Sequence, residues 1–259
     1  MAAFFAVMVG IGIYGSRRAN NVSSFLLGGR KVGPWLSAFS YGTSYFSAVL
    51  FIGYAGMHGW NIGLGSLWIG IGNAVVGVWM TWFLLAGRTR HITNNLNART
   101  MPEFVGARYK STGMKLYSAI IIFIFLVPYA ASVYRGLGVL FSTVFTSAEP
   151  WIIMLFMAIL TAIYLTLGGY IASSLTDFIQ GVIMVVGVVI MLVAFSLQPE
   201  VGGPIAVANR LRAISPTLTS PFGGQYASML FFNVVLTSLG TWGLPQMVHK
   251  FYAISDESK

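Results

Sequence analysis

Long apolar runs separated by short polar segments set the pattern of this chain. No Asp, Glu, Lys or Arg occurs at 32–87, 116–134, 150–176 or 178–199. A bilayer core of about 30 Å takes about 20 helical residues at 1.5 Å each. The pattern therefore predicts membrane helices over about 1–15, 34–57, 65–87, 114–145, 150–168, 174–196 and 225–248. The expected fold class is an all-α polytopic membrane protein, with residues 1–259 forming a single transmembrane domain. Two polar pieces also read as helices. In RTMPEFVGARY, Thr100 is placed to cap and Glu103 to reach back, the arrangement of a capping box, and its amphipathic pattern suggests an interfacial helix. GGPIAVANRLRAIS (202–215) is the second.

Two spans carry residues that disfavour a continuous helix. SYGTSYFS (40–47) puts small and hydroxylated residues at mid-membrane, and SLGTWGLPQ (238–246) holds Gly240, Gly243 and Pro245. Glycine favours unwinding, and proline removes a donor and clashes with the preceding turn. Carbonyls freed in hydrocarbon are tolerated where they line a cavity or meet an ion. Each stretch alone could be a kink whose hydroxyls bond back to the chain, or a close helix contact. The pair says more, because S-x-G-T recurs as Ser40–Thr43 and Ser238–Thr241. Five spans separate the two starts and the two helices enter from opposite sides. Inverted-repeat transporters place paired discontinuous helices in this way around a midplane site. The expected architecture is a complete first five-helix repeat plus the first helix of the second, with broken helices at 34–57 and 225–248.

Composition changes the picture little: 56% of residues are hydrophobic and 8% charged, and the mean hydropathy is +0.78. An ordinary soluble domain carries about a quarter charged residues. With no Cys, disulfide and thiolate chemistry are excluded, and His58, His91 and His249 lie far apart in sequence. MAAFFAVMVGIGIYG lacks a basic leader and runs into Arg17 and Arg18, so it reads as a truncated first span rather than a signal peptide.

The net charge of +9 could suggest nucleic acid, but its distribution is topogenic. All 15 Lys and Arg residues except Arg135, Arg210 and Arg212 fall in 16–33, 88–115 or the C-terminal end, which holds Lys250 and Lys259. The positive-inside rule places those segments in the cytoplasm and the N-terminus outside, in a multi-pass protein of the cell membrane. The partner is the lipid bilayer, with no nucleic acid.

Arg135, in PYAASVYRGLGVLF, is the charge inside a span. It lies 20 residues beyond Lys115, about 30 Å of helix, whereas Asp177 lies a few residues into a span starting from that same face, too far for an internal pair. Two readings stay open. The side chain could lift its head to the outer interface, or it could face the bundle and hold a carboxylate with its planar fork.

At the level of whole motifs the chain resembles the sodium:solute symporter family, particularly its proline and pantothenate branch. The resemblance rests on GGRKVGPWLSAFSYGTSYFSAVLFIGYAG, LWIGIGNAVVGVWMTWFLLAGRTR, TMPEFVGARY, IYLTLGGYIASSLTDFIQG and WGLPQMVHKFYA, in order from about 25 to 253. It implies two inverted five-helix repeats and Na⁺-driven uptake by alternating access. It also implies sodium contacts at Thr43 and Phe46, through carbonyls, and at Asp177. Asp177 could instead cap its own helix. Substrate contacts carried over are Ser47, Asn73, Tyr134, Arg135, Ser238, Trp242 and Gln246. For Ser47 and Ser238 helix-packing hydroxyls are an equal alternative, Asn73 could bond across helices, and Trp242 could fill space. Tyr45 stands where proline carriers have an acidic residue, and Gly70 where sugar carriers have Glu. The family's later sodium ligands lie on a helix beyond residue 259, so the chain is expected to be a fragment whose C-terminal half is its missing partner.

The expected function is secondary active, Na⁺-coupled symport of a small organic, carboxylate-bearing or amino-acid-like solute. Alternatives are proton coupling, or the membrane unit of a signalling sensor. An enzyme is not expected, since Glu103, Glu149, Asp177, Glu200, Asp256 and Glu257 are scattered over different loops and depths.

Overall fold

A computed structural model describes residues 2–17, 21–46, 56–145 and 149–255. Among these the chain is helical. The helices are α1 (Ala2–Ser16), α2 (Val22–Leu27), α3 (Pro34–Tyr45), α4 (Gly56–Ile62), α5 (Leu67–Gly72), α6 (Gly87–Asn95), α7 (Met101–Tyr109), α8 (Thr112–Val144), α9 (Pro150–Leu197), α10 (Gly203–Ile214), α11 (Ala227–Leu239) and α12 (Pro245–Ala253). Wide π-helical turns at Asn73–Met80 and Trp82–Ala86 join α5 to α6, so that Gly56–Asn95 runs as one 40-residue helical stretch.

Three stretches are long and apolar enough to cross a membrane, and the bent pair Gly224–Gly243 with Pro245–Ala253 makes a fourth. Their side chains explain why. Phe123, Phe125, Leu155, Ile190 and Phe231 are exposed large hydrophobics on the surfaces of α8, α9 and α11, which suits contact with lipid tails. The chain is an all-α polytopic membrane protein.

The longest element, α9, has 48 residues, about 72 Å at 1.5 Å per residue, too long for one crossing. Gly169 divides it with φ 56 and ψ −147, a conformation open in practice to glycine alone. Where the sequence suggested a loop between spans ending at 168 and starting at 174, the chain turns on this one residue. A Cβ there would meet the Phe25 carbonyl oxygen at 2.6 Å. Close backbone approach also seats α1: a Cβ on Gly15 would lie 2.9 Å from the Gly168 carbonyl oxygen, and Met8, Ile11 and Ala172 pack together.

The expected breaks appear in different forms. In the last span α11 ends at Leu239, a 3-10 turn follows at Gly240–Gly243, and Leu244 is extended (φ −67, ψ 123). α12 then leaves at 49°. The second span is helical through Tyr45, so the SYGTSYFS stretch is wound over most of its length. It leaves the helix only at Phe46 (φ −83, ψ 71). The rest of that expected span, including Ser47, lies outside the described residues up to 55.

The polar helices follow local rules. Thr100 caps α7 by accepting from the Glu103 amide at 3.3 Å, while Glu103 reaches back one residue further than expected, accepting from the Arg99 amide at 2.8 Å.

Candidate functional site

The second half of α9 leans on α3. Phe39 and Phe178 meet edge to face with ring centroids 4.9 Å apart. One turn further, a Cβ on Gly181 would meet Phe39 and Thr43 side-chain carbons at 2.7 and 2.9 Å. Asp177, on the same face as Gly181, is thereby aimed at Ser40, whose hydroxyl donates to Asp177 Oδ2 at 2.6 Å.

The third member comes from α12. The break at Leu244 turns this helix so that Lys250 points inward, where Nζ lies 3.2 Å from Asp177 Oδ2. Lys250 Nζ also donates to Ser40 Oγ and sits 5.3 Å from the Tyr170 ring centroid, within cation–π range. Lys250 is 8% exposed and Asp177 20%. The sequence places Lys250 with the cytoplasmic charges of the C-terminal end; the structure buries it as half of an ion pair. An aromatic cluster supports the arrangement: Phe251, next in sequence, packs against Tyr41 and Trp82 at 5.8 and 5.1 Å between centroids.

A cavity of about 460 Å³ opens on this pair, lined among others by Ser44, Asp177, Gln246, His249 and Lys250 and bordered by Thr100 at the start of α7. Both amide atoms of Gln246, one helical turn before Lys250, are buried without a partner. A buried amide with neither bond made is costly, so a guest able to donate and accept suits this position.

The other expected substrate residues among those described do not join this cavity. Asn73 Oδ1 accepts from Tyr45 Oη at 2.7 Å and Ser238 Oγ at 3.3 Å, a buried link between α3, the π-helical stretch and α11. Tyr45 Oη also contacts the Thr237 carbonyl at 3.2 Å. Trp242 donates from Nε1 to the Val76 carbonyl at 3.0 Å, and Tyr41 to that of Gly77 at 3.3 Å. For Asn73 and Ser238 these contacts match the reading of bonds between helices. Tyr134 is half-buried and shares its helix face with Gly138, where α8 rests on Met154 of α9. Arg135 is exposed. It does not line the cavity.

Of the expected sodium contacts, Thr43 and Asp177 face one another's helices, and Phe46 is the residue at which α3 stops. Carbonyls of a last turn are those a helix leaves without an internal donor. The hydroxyls of Thr43 and Ser44 donate to carbonyls of their own helix, leaving oxygen lone pairs. A hard cation takes such oxygen donors. Among the described residues no cluster of His, Cys, Asp and Glu could hold a transition metal.

Lys250, Ser40 and Ser44 were missed from the sequence. Lys250 falls four residues after Gln246 on a helix that starts at a break, and that spacing was the signal to follow.

Helices long and apolar enough to cross a membrane, one of them broken, around a buried acid–base pair that borders a cavity define the class: a polytopic membrane protein with a polar pair in its interior. The chain belongs to the sodium:solute symporter family, whose profile matches residues 25–259. It is 33% identical over 99% of its length to the osmoregulated proline transporter OpuE of Bacillus subtilis, covering 51% of that protein. It is 31% identical over 98% of its length to a sodium/proline symporter of Staphylococcus aureus, covering 49%. The chain thus spans about half the length of these curated relatives. No solved structure gives a significant match.

Proposed function

We propose that this chain is part of a Na⁺-coupled symporter for a small amino-acid-like solute bearing a carboxylate, working by alternating access. The observation that carries the reading is the Asp177–Lys250 pair at the cavity between α3, α9 and α12. A carboxylate with hydroxyl neighbours suits Na⁺. A buried ammonium beside an unpartnered amide, Gln246, suits a solute with an anionic group and a polar one. The anion receptor is therefore Lys250 rather than Arg135. Two relatives are named for proline, a solute of this kind.

The relatives are about twice as long as the chain, and on this reading further helices of the complete transporter close the site from the other side. The basic loops and the end of α12 face the cytoplasm and α1 starts outside, so the cavity beside α7 is the inner vestibule.

Counterflow of radiolabelled L-proline and of simple monocarboxylates into liposomes containing the complete protein tests this. Uptake that needs Na⁺ and is lost in Asp177→Asn is expected. Uptake driven by a proton gradient at equal rates without Na⁺, or no uptake of any carboxylate, would overturn the reading.

A further inference from the structure

A buried ion pair that borders a solute cavity can do more than hold helices together. Asp177 belongs to α9, Lys250 to the leg beyond the break in the last span, and Ser40 bridges them, donating to the carboxylate and accepting from the ammonium. Three separate segments thus meet at one carboxylate oxygen. Among the described residues this is the ion pair found inside the bundle, and Gln246 beside it has both amide atoms buried and unpartnered.

Resting on the transport reading above, we propose that the Asp177–Lys250 pair is the coupling element itself: Na⁺ and the solute's carboxylate bind together by splitting it. Na⁺ takes the place of the ammonium on Asp177, and Lys250, released, takes the solute's carboxylate with Gln246 alongside. One internal pair is exchanged for two pairs with cargo, so that the Asp177 carboxylate and the Lys250 ammonium each keep an opposite charge beside them. Either ligand alone is penalised. Na⁺ on Asp177 without an anion strands a buried ammonium, and an anion on Lys250 without Na⁺ strands a buried carboxylate. A buried charge that loses its partner is strongly unfavourable. Each ligand therefore raises the affinity for the other, and by linkage the two factors are equal. Lys250 acts before loading as a tethered stand-in for the cation.

The test uses the complete protein in detergent, with L-proline as the solute probe and choline as the inert cation. Proline binding and Na⁺-dependent thermal stabilisation are measured in the unaltered protein, in Lys250→Gln and in the double variant Asp177→Asn with Lys250→Gln. In the unaltered protein Na⁺ tightens proline binding about tenfold or more. In Lys250→Gln, Na⁺ alone stabilises at several-fold lower concentration, because the internal competitor is gone, and proline binding weakens. The double variant, neutral and still able to hydrogen-bond, keeps its fold, and the effect of Na⁺ on proline binding falls to about onefold.

A double variant that retains the full Na⁺ effect overturns the inference, as does Lys250→Gln with an unchanged Na⁺ requirement, while Na⁺-driven uptake by the unaltered protein leaves the transport reading standing. If instead proline does not bind the unaltered protein with or without Na⁺, the solute reading fails, and the Na⁺ titration of Lys250→Gln still decides whether Lys250 competes for Asp177.

Discussion

Two cations, Arg135 and Lys250, lie within membrane-spanning helices of this protein, and their surroundings differ in every respect. Arg135 sits in α8, a 33-residue helix whose surface is largely exposed, and is itself exposed. Lys250 sits in a nine-residue helix beyond a break, with a carboxylate, a hydroxyl and an aromatic ring around its ammonium. The contrast teaches that depth along a helix does not place a charge in a site. A side chain enters a site when its helix is aimed, and here the aiming is done by the Gly240–Leu244 interruption.

The sharpest way to break that contrast is Asp177→Ala. It leaves the Lys250 ammonium buried without its partner, which costs on the order of 3 kcal/mol. Na⁺-driven uptake should vanish and thermal unfolding in detergent should drop clearly. A variant that melts and transports like the parent would reduce the pair to decoration. Next comes Gly169→Ala, which forces an L side chain into φ 56, ψ −147 and against Phe25, at a cost of about 2 kcal/mol. It shifts the half of α9 that carries Asp177 while leaving α8 untouched, so a reduced yield of monodisperse protein with Arg135 environment unchanged is expected.

Tyr45→Phe removes the hydroxyl that joins Asn73 to the α11 side, worth about 1 kcal/mol. Thermal melting a few degrees lower, with Na⁺ dependence intact, would mark this cluster as support for the broken helix. A changed solute preference would instead return Asn73 to the binding site. The smallest effect belongs to Arg135→Ala, whose uptake should stay within about twofold of the parent. Abolished anion uptake there would reverse the roles assigned to the two cations.

Helices, the break in the last span and the family are legible in the sequence because apolar run length, glycine, proline and repeated motifs carry them directly. The facing of α8 was not. A helix apolar on all sides gives no angular signal, so counting residues from Lys115 fixed how deep Arg135 lies without saying which way it points. Lys250 was misplaced for the complementary reason. It falls just past the expected end of the last span, among the charges of the C-terminal end, and only the 49° bend shows that the helix turns it inward. The separation of 73 residues between Asp177 and Lys250 offered no local pattern either. The hydroxyls at 40–47, by contrast, were singled out for an unwound turn, and they mostly stay within a regular helix. Serine and threonine there bond back to carbonyls of the preceding turn, an option their short side chains always have.

At the foot of the molecule Val32 forms a parallel bridge with Ile254, and the Val32 amide and carbonyl bond to Ala253 and Ser255. Arg90 donates to the Ile254 carbonyl at 2.7 Å, and Arg30 to those of Thr93 and Ala98. These rivets fasten the far tip of α12 to the stem of α3 and to α6. If α12 swings, it cannot do so as a free flap; the lever must drag the base of α3 with it.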